Sequence, residues 1–95
     1  MDAPQKFQKQ PVVVEAIQWT GENNPAVMEF CGTKCDDNGH EYLRFVPLAY
    51  PEPKLWVDAN ACWVPITPGE WIIRDRLGFY PCNPFVFAET YQAAG

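Results

Sequence analysis

Short blocks of alternating apolar and polar residues predict β-strands in the first half of the chain. Residues 12–19 are mostly apolar on both faces of the alternation, which indicates a covered, central strand. Glu15 is the charged exception, and we expect it at the solvated rim of the sheet, with a pocket-lining carboxylate as the alternative. Residues 41–46 predict a second strand, after the tight reversal that Asn38 and Gly39 favour.

Two segments have the start and stop signals of short helices. Asn24 is suited to cap the first helix, Pro25 to occupy its first position and Gly32 to end it. Asn83 is suited to cap the second helix, which begins with a proline and covers residues 84–91. The apolar face of the first helix consists of Val27, Phe30 and Cys31.

A central hairpin is predicted after a proline-rich connection. Residues 54–57 and 62–64 are β-prone runs around a short polar loop. Trp56 and Trp63 are placed to form a cross-strand aromatic pair on one face of this hairpin.

The last third of the chain predicts a turn followed by a second hairpin. Pro68 and Gly69 suit the two central positions of a type II turn, because proline presets the first dihedral angle and glycine tolerates the positive one. Residues 71–74 are β-prone, and Leu77 and Gly78 favour a tight reversal into the last strand.

These elements predict an α+β fold in a single small domain that spans residues 1–95. We expect a twisted, mainly antiparallel sheet with two short helices, and a partial barrel is one form that such a sheet adopts. Residues 1–5 and 92–95 are predicted to be flexible tails.

Composition and charge narrow the classes of partner. The chain is 47% hydrophobic and 15% aromatic, which is enough large apolar side chain to drive folding. Its formal net charge of −5 disfavours contact with phosphate backbones, so we predict no direct nucleic-acid binding. An acidic surface suits a basic protein partner, although the same charge is also ordinary for solubility.

The chain contains no apolar run near the roughly 20 residues that a membrane span needs. No apolar signal-peptide segment follows the amino terminus, so the sequence predicts a cytosolic protein without membrane contact. Its four cysteines are then expected to be free thiols.

Both ends of the chain resemble a family of small phage and prophage proteins. Residues 6–21 are similar to the opening of that family and residues 24–32 to its following helix, whereas 68–74, 79–84 and 87–91 resemble its ending. The middle, from residue 33 to residue 64, departs from it. The resemblance implies a phage or prophage origin and a role in the cytoplasm of the infected bacterium. The family has no general assigned activity, so the resemblance supplies no catalytic residues.

Our first hypothesis is a non-enzymatic accessory protein that binds and inhibits a host bacterial protein, by analogy with other small acidic phage proteins that disable defence systems. The expected interface combines an acidic cluster with exposed aromatic residues, because large amphipathic side chains beside charges form binding hot spots. The candidates are Asp36, Asp37, Glu41, Tyr50 and Trp56. A minor virion or assembly role is an alternative, and a homodimer through an edge strand at residues 54–57 is open.

A second hypothesis is a protein that sequesters a small ligand such as a nucleotide. Arginine side chains bind phosphate or carboxylate groups, and aromatic rings stack on a flat base. The candidates are Arg44, Trp71, Arg74, Arg76 and Tyr80. Pairing of the arginines with Asp58, Glu70 or Asp75 is the competing interpretation.

Metal binding and catalysis receive little support from the spacing of cysteine and histidine. Cys31, Cys35 and His40 have zinc-ligand chemistry, with Cys62 or Cys82 as a fourth ligand, but their spacing matches no known zinc motif. A cysteine–histidine nucleophile would need both groups within hydrogen-bond reach, and nothing in the sequence places them so. We therefore predict no metal, no cofactor and no enzymatic activity.

Overall fold

The computed structural model describes residues 3–6 and 13–92. Its elements are, in order, β1 (Glu15–Gln18), α1 (Asn24–Cys31), β2 (Thr33–Cys35), β3 (Glu41–Leu43), β4 (Phe45–Val46), β5 (Lys54–Val57), β6 (Cys62–Pro65), β7 (Trp71–Asp75), β8 (Gly78–Cys82) and α2 (Pro84–Thr90). Every strand pair in this part of the chain is antiparallel, and the pairs form three small sheets, β1-β7-β8, β2-β3 and β4-β5-β6.

The predicted α+β class, with antiparallel pairing and two short helices in one small domain, is confirmed. The strands are divided among three sheets instead of forming one, and they close no barrel within the described residues. Parts of the predicted tails, residues 1, 2 and 93–95, lie outside the described residues.

The predicted central strand at residues 12–19 is corrected: among the described residues it is shorter, Glu15–Gln18, and lies at the edge of its sheet. In the described part of the chain β1 has a single neighbour, β7, with Glu15 opposite Arg74. Val13 precedes the strand and is 83% exposed, and residue 12 lies outside the described residues. Val13 and Val14, which contributed to the apolar pattern, therefore precede the strand. Glu15 lies exposed at the sheet rim, as predicted, and forms an ion pair with Arg74.

Helix α1 has the predicted position, but its cap is shifted by one residue. Asn23 is the N-cap residue, and its side-chain oxygen accepts a hydrogen bond from the backbone N–H of Thr20 at 2.9 Å. The Asn24 oxygen instead accepts the indole N–H of Trp19 at 2.7 Å. Gly32 ends the helix as predicted, with a φ of +64° and its N–H bonded to the Met28 carbonyl.

The hydrophobic core lies where α1, the β1-β7-β8 sheet and the β4-β5-β6 sheet meet. Edge-to-face ring packing joins the elements, with 5.1 Å between the ring centroids of Trp19 and Phe45 and 5.5 Å between those of Phe30 and Phe79. The buried residues of this core are Trp19, Val27, Cys31, Phe45, Leu55, Ile66, Ile72 and Phe79.

The second face of the β1-β7-β8 sheet is covered by helix α2. Asn83 caps this helix as predicted, because its side-chain oxygen accepts the Phe85 N–H at 2.8 Å. Trp71 of β7 stacks on Phe87 of α2 with 4.1 Å between ring centroids and an interplanar angle of 4°. By strand alternation, the fully buried Ile73 lies on the same face as Trp71.

The turns before and after β7 form at the predicted position or within one residue of it. Gly69 has a φ of +99°, and the Glu70 N–H bonds to the Thr67 carbonyl across the Pro68–Gly69 turn, as expected for type II. In the closing hairpin Asp75 pairs with Gly78, so the reversal occurs one residue earlier than predicted.

The predicted strand 41–46 is divided at Arg44, where the backbone passes from one sheet to another. The Arg44 N–H donates to the Gly32 carbonyl at 3.1 Å, and its carbonyl accepts the Trp56 N–H at 2.9 Å. Its side chain forms an ion pair with Asp58, with 3.1 Å between Arg44 Nε and Asp58 Oδ2. Asp58 belongs to a 3₁₀ turn that directly follows β5.

The Arg44–Asp58 pair also contacts the end of α1 and the start of β8. The guanidinium donates to the Cys31 carbonyl at 3.2 Å and to that of Thr33, which satisfies carbonyl groups where the helix ends. It lies 5.1 Å from the ring centroid of Phe79, whose N–H donates to Asp58 Oδ2 at 3.3 Å. This half-buried pair therefore joins all three sheets.

Replacing Gly78 by alanine is expected to destabilise the protein more than replacing Gly69. Both glycines have a strongly positive φ, +120° and +99°, so alanine strains the backbone at each. A Cβ at Gly78 would lie 2.4 Å from Asp58 Oδ2, whereas one at Gly69 meets no described heavy atom within 4 Å. We expect Gly78→Ala to lower the free energy of unfolding by about 2 kcal/mol more than Gly69→Ala does. This is the value of a hydrogen bond to a charged group, such as the bond from the Phe79 N–H to Asp58 that the new Cβ would displace. Urea titrations measure both free energies of unfolding, and equal losses would contradict the close contact between Gly78 and the Asp58 carboxylate.

Candidate functional site

The outer face of the β4-β5-β6 sheet presents two tryptophans. Alternation along β5 directs Leu55 and Val57 into the interior, where both are buried, and leaves Trp56 half-buried on the other side. Trp56 lies directly opposite Trp63 of β6, with ring centroids 5.3 Å apart at 73°. The predicted cross-strand aromatic pair is confirmed, and it forms the centre of an outward-facing surface.

Two lysines lie over these rings. Lys34 Nζ is 4.1 Å from the Trp56 ring centroid and 5.2 Å from that of Tyr42, its cross-strand partner in the β2-β3 hairpin. Lys54 Nζ is 4.4 Å from the Trp63 ring centroid. Cation–ring contacts at the protein surface are each worth about 0.5–1 kcal/mol. We call the surface formed by these five residues, Lys34, Tyr42, Lys54, Trp56 and Trp63, the ring-and-lysine face.

An acidic loop, residues 36–40, connects β2 to β3 and adjoins this face at Tyr42. The Tyr42 hydroxyl donates to Asp36 Oδ2 at 3.2 Å, while Asp36 Oδ1 accepts the backbone N–H groups of Asn38 and His40 at 2.9 Å each. The backbone hydrogen bond from His40 is the largest cause that lowers the pKa of Asp36. Asp36 is therefore ionised at neutral pH, and its hydrogen bond raises the pKa of Tyr42.

The structure brings part of the predicted partner-binding set together. Asp36 and Trp56 belong to one continuous series of contacts, from Asp36 through Tyr42 and Lys34 to Trp56. Asp37 is exposed on the acidic loop. Glu41 is also exposed, but it begins β3 opposite Cys35 and, by alternation, lies on the other face of the hairpin from Tyr42. The remaining candidate, Tyr50, is 97% exposed in the connection between β4 and β5.

Sequence reasoning missed Lys34, Tyr42 and Lys54 as members of this surface. Strand β2 is only three residues long and has a single apolar residue, so no periodic signal identified it. The tight turn and the predicted strand after it were the available signal, because a hairpin would have required a partner strand directly before the loop. That partner strand places Lys34 beside Tyr42.

The predicted edge strand at residues 54–57 is also corrected. Strand β5 is the central strand of its sheet, with β4 on one side and β6 on the other. Its backbone hydrogen-bonding groups are therefore used inside the domain, and it offers no edge to a second copy.

The predicted ligand-binding set is not assembled on one face. Trp71 and Tyr80 lie on the α2 side of the sheet, whereas Arg74 lies on the opposite side against Phe30, 5.1 Å from its ring centroid. Arg76 is exposed in the turn between β7 and β8. As the competing interpretation expected, the last member, Arg44, is paired with an aspartate, Asp58.

On the α2 side, Tyr80 and Tyr91 form a hydroxyl pair 3.4 Å apart. Burial is the largest cause that raises the pKa of Tyr80, followed by the hydrogen bond to Tyr91. Tyr80 is therefore neutral at physiological pH, and it helps to hold α2 against the sheet.

Cysteine and histidine chemistry is dispersed. The described residues contain no group of three or more His, Cys, Asp or Glu side chains that could hold a metal ion. Cys31 is buried, and burial raises the pKa of its thiol to about 12, so it is protonated at neutral pH. Cys35 is exposed, and His40 Nδ1 lies 3.4 Å from Asp36 Oδ2.

No protein-family model matches the chain, and neither does any curated protein or solved structure. Among the helices of residues 3–6 and 13–92, none has the length and apolar character that a membrane crossing requires.

Alkylation is expected to distinguish the cysteines. At pH 8 iodoacetamide should modify the exposed Cys35 and Cys62 first, because the thiolate is the reactive form and Cys31 is buried and protonated. We expect Cys31 to react at least about 100-fold more slowly in the folded protein and to become reactive in urea. Peptide mass spectrometry of timed samples measures these rates, and rapid native labelling of Cys31 would contradict its place in the core.

Proposed function

We propose that the protein is a non-enzymatic binding protein that recognises a host bacterial protein through its ring-and-lysine face and the adjoining acidic loop. Binding inhibits that host protein, and the site of action is the cytoplasm of the bacterium. The observation that supports this proposal is the unbroken series of surface contacts from Asp36 through Tyr42, Lys34, Trp56 and Trp63.

The composition of this surface is typical of protein interfaces. Tryptophan and tyrosine are enriched in binding hot spots, because they bury a large area at a low cost in conformational entropy. Trp56 and Trp63 are half-buried and held against each other, and Tyr42 is 46% exposed. Rings that are already ordered in the free protein lose little further freedom when a partner covers them.

The net negative charge of the protein favours a basic partner. The chain has a formal net charge of −5, and the acidic loop places two of its carboxylates, Asp36 and Asp37, beside the aromatic surface. A field of this sign attracts basic proteins and increases their association rate, especially at low ionic strength.

The bacterial setting of the proposal comes from the resemblance of both chain ends to phage and prophage proteins. The segments that resemble that family include β1, α1 and most of β7, which surround the core, and parts of β8 and α2. The surface proposed for recognition lies in the divergent middle, from Lys34 to Trp63. A common scaffold with a variable surface suits proteins that bind different host targets.

A capture experiment with paired variants tests the proposal. We expect tagged wild-type protein to retain a specific partner from a bacterial lysate, and Trp56→Thr to lose it, since removal of a hot-spot ring weakens binding about 30-fold or more. Val86→Thr is the control, because Val86 is 53% exposed on α2, far along the chain from this face.

Melting curves of both variants establish that they are folded. The captured partner's activity, measured with wild-type protein and with Trp56→Thr, then tests inhibition. Equal capture by the two variants, or capture of no specific partner by the wild type, would contradict the proposed function.

A further inference from the structure

The ammonium group of Lys34 lies against two aromatic rings at once. Its Nζ is 4.1 Å from the ring centroid of Trp56 and 5.2 Å from that of Tyr42, and both distances fall within the roughly 6 Å over which a cation is attracted to a ring face. Lys54, by comparison, lies over the single ring of Trp63. The two rings beside Lys34 therefore form a two-sided site for a cation.

We infer that this site, between Tyr42 and Trp56, accepts an arginine side chain from a basic segment of a protein partner, and that Lys34 occupies it in the free protein. The inference rests on the proposed function for the partner being a protein.

The Asp36 carboxylate favours a positive charge at this position. It is ionised and accepts the Tyr42 hydroxyl at 3.2 Å. A phenol that donates to a carboxylate is polarised so that its ring becomes richer in electrons, which strengthens its attraction for a cation. The Asp36 carboxylate thus adds a negative charge next to the Tyr42 ring, which is one of the two rings of the site.

The contacts of Lys34 allow another cation to replace its ammonium group between the two rings. Among the described residues no carboxylate forms an ion pair with it, whereas Arg44 and Arg74 are paired with Asp58 and Glu15. Its ammonium group is therefore retained by ring faces, and it can return to water from a partly exposed position.

Arginine is the cation best suited to replace it. A guanidinium is planar and more weakly hydrated than an ammonium, and it stacks on aromatic faces, so it gains more from the two rings. The net charge of −5 raises the local concentration of a basic segment. An acidic segment could pair with the ammonium groups of Lys34 and Lys54, but the net negative charge of the protein would repel it as it approached.

The test uses defined peptides and therefore does not depend on identifying the partner. The probes are acetyl-Gly-Arg-Gly-Arg-Gly-amide and its lysine and glutamate counterparts, at 0.15 M salt, roughly physiological ionic strength. The readout is the indole N–H resonance of Trp56, assigned with Trp56→Phe. The variants are Lys34→Ala and Lys54→Ala, which remove the same charge from the same face, but only the first empties the two-ring site.

We expect the arginine peptide to shift the Trp56 resonance and to bind more tightly than the lysine peptide. Lys34→Ala should tighten its binding about two- to five-fold relative to Lys54→Ala, because the competing cation is gone. Equal or weaker binding by Lys34→Ala would overturn the inference, as would tighter binding of the glutamate peptide or no shift at Trp56. Failure to capture a host partner contradicts the proposed function and leaves this result standing, so the two failures are distinguishable.

Discussion

The half-buried ion pair between Arg44 and Asp58 is the interaction on which the arrangement of the sheets depends. The backbone of Arg44 links the β2-β3 hairpin to β5, and its side chain reaches the end of α1 and the 3₁₀ turn after β5. Asp58 in turn accepts the N–H of Phe79 in β8. A half-buried charge that loses its partner is costly, so this pair strongly favours one relative placement of the three sheets.

That placement creates the exposed surface. Strands β2 and β3 end where Arg44 begins the next sheet, so Lys34 and Tyr42 are carried to the side of Trp56. The opposite face of the β4-β5-β6 sheet, which carries Trp56, buries Phe45 and Leu55 in the core. Within this sheet the core packing and the tryptophan rings proposed for recognition thus lie on opposite faces, and the Arg44–Asp58 pair sets the position of the sheet.

Features that depend on neighbouring residues could be predicted from the sequence. Helix α2 begins where its Asn-Pro signal indicated, and Trp56 faces Trp63 because a short loop sets the register of that hairpin. The division of the sheets could not be predicted, because residues 41–46 alternate like one strand, and the ion pair that divides them joins positions 14 residues apart. Lys34 was missed for a similar reason, since its contact with Trp56 depends on how two sheets meet.

The most direct test of this account is the coupling free energy between Arg44 and Asp58, measured by urea unfolding of the wild type, Arg44→Met, Asp58→Ala and the double variant. If the pair joins the sheets, each single variant leaves a half-buried charge or its hydrogen-bond partners unsatisfied. The double variant should then lower the free energy of unfolding by much less than the sum of the two single losses. We expect a coupling free energy of about 2 kcal/mol or more. Costs that add to within about 0.5 kcal/mol would contradict it, because the two residues would then act independently.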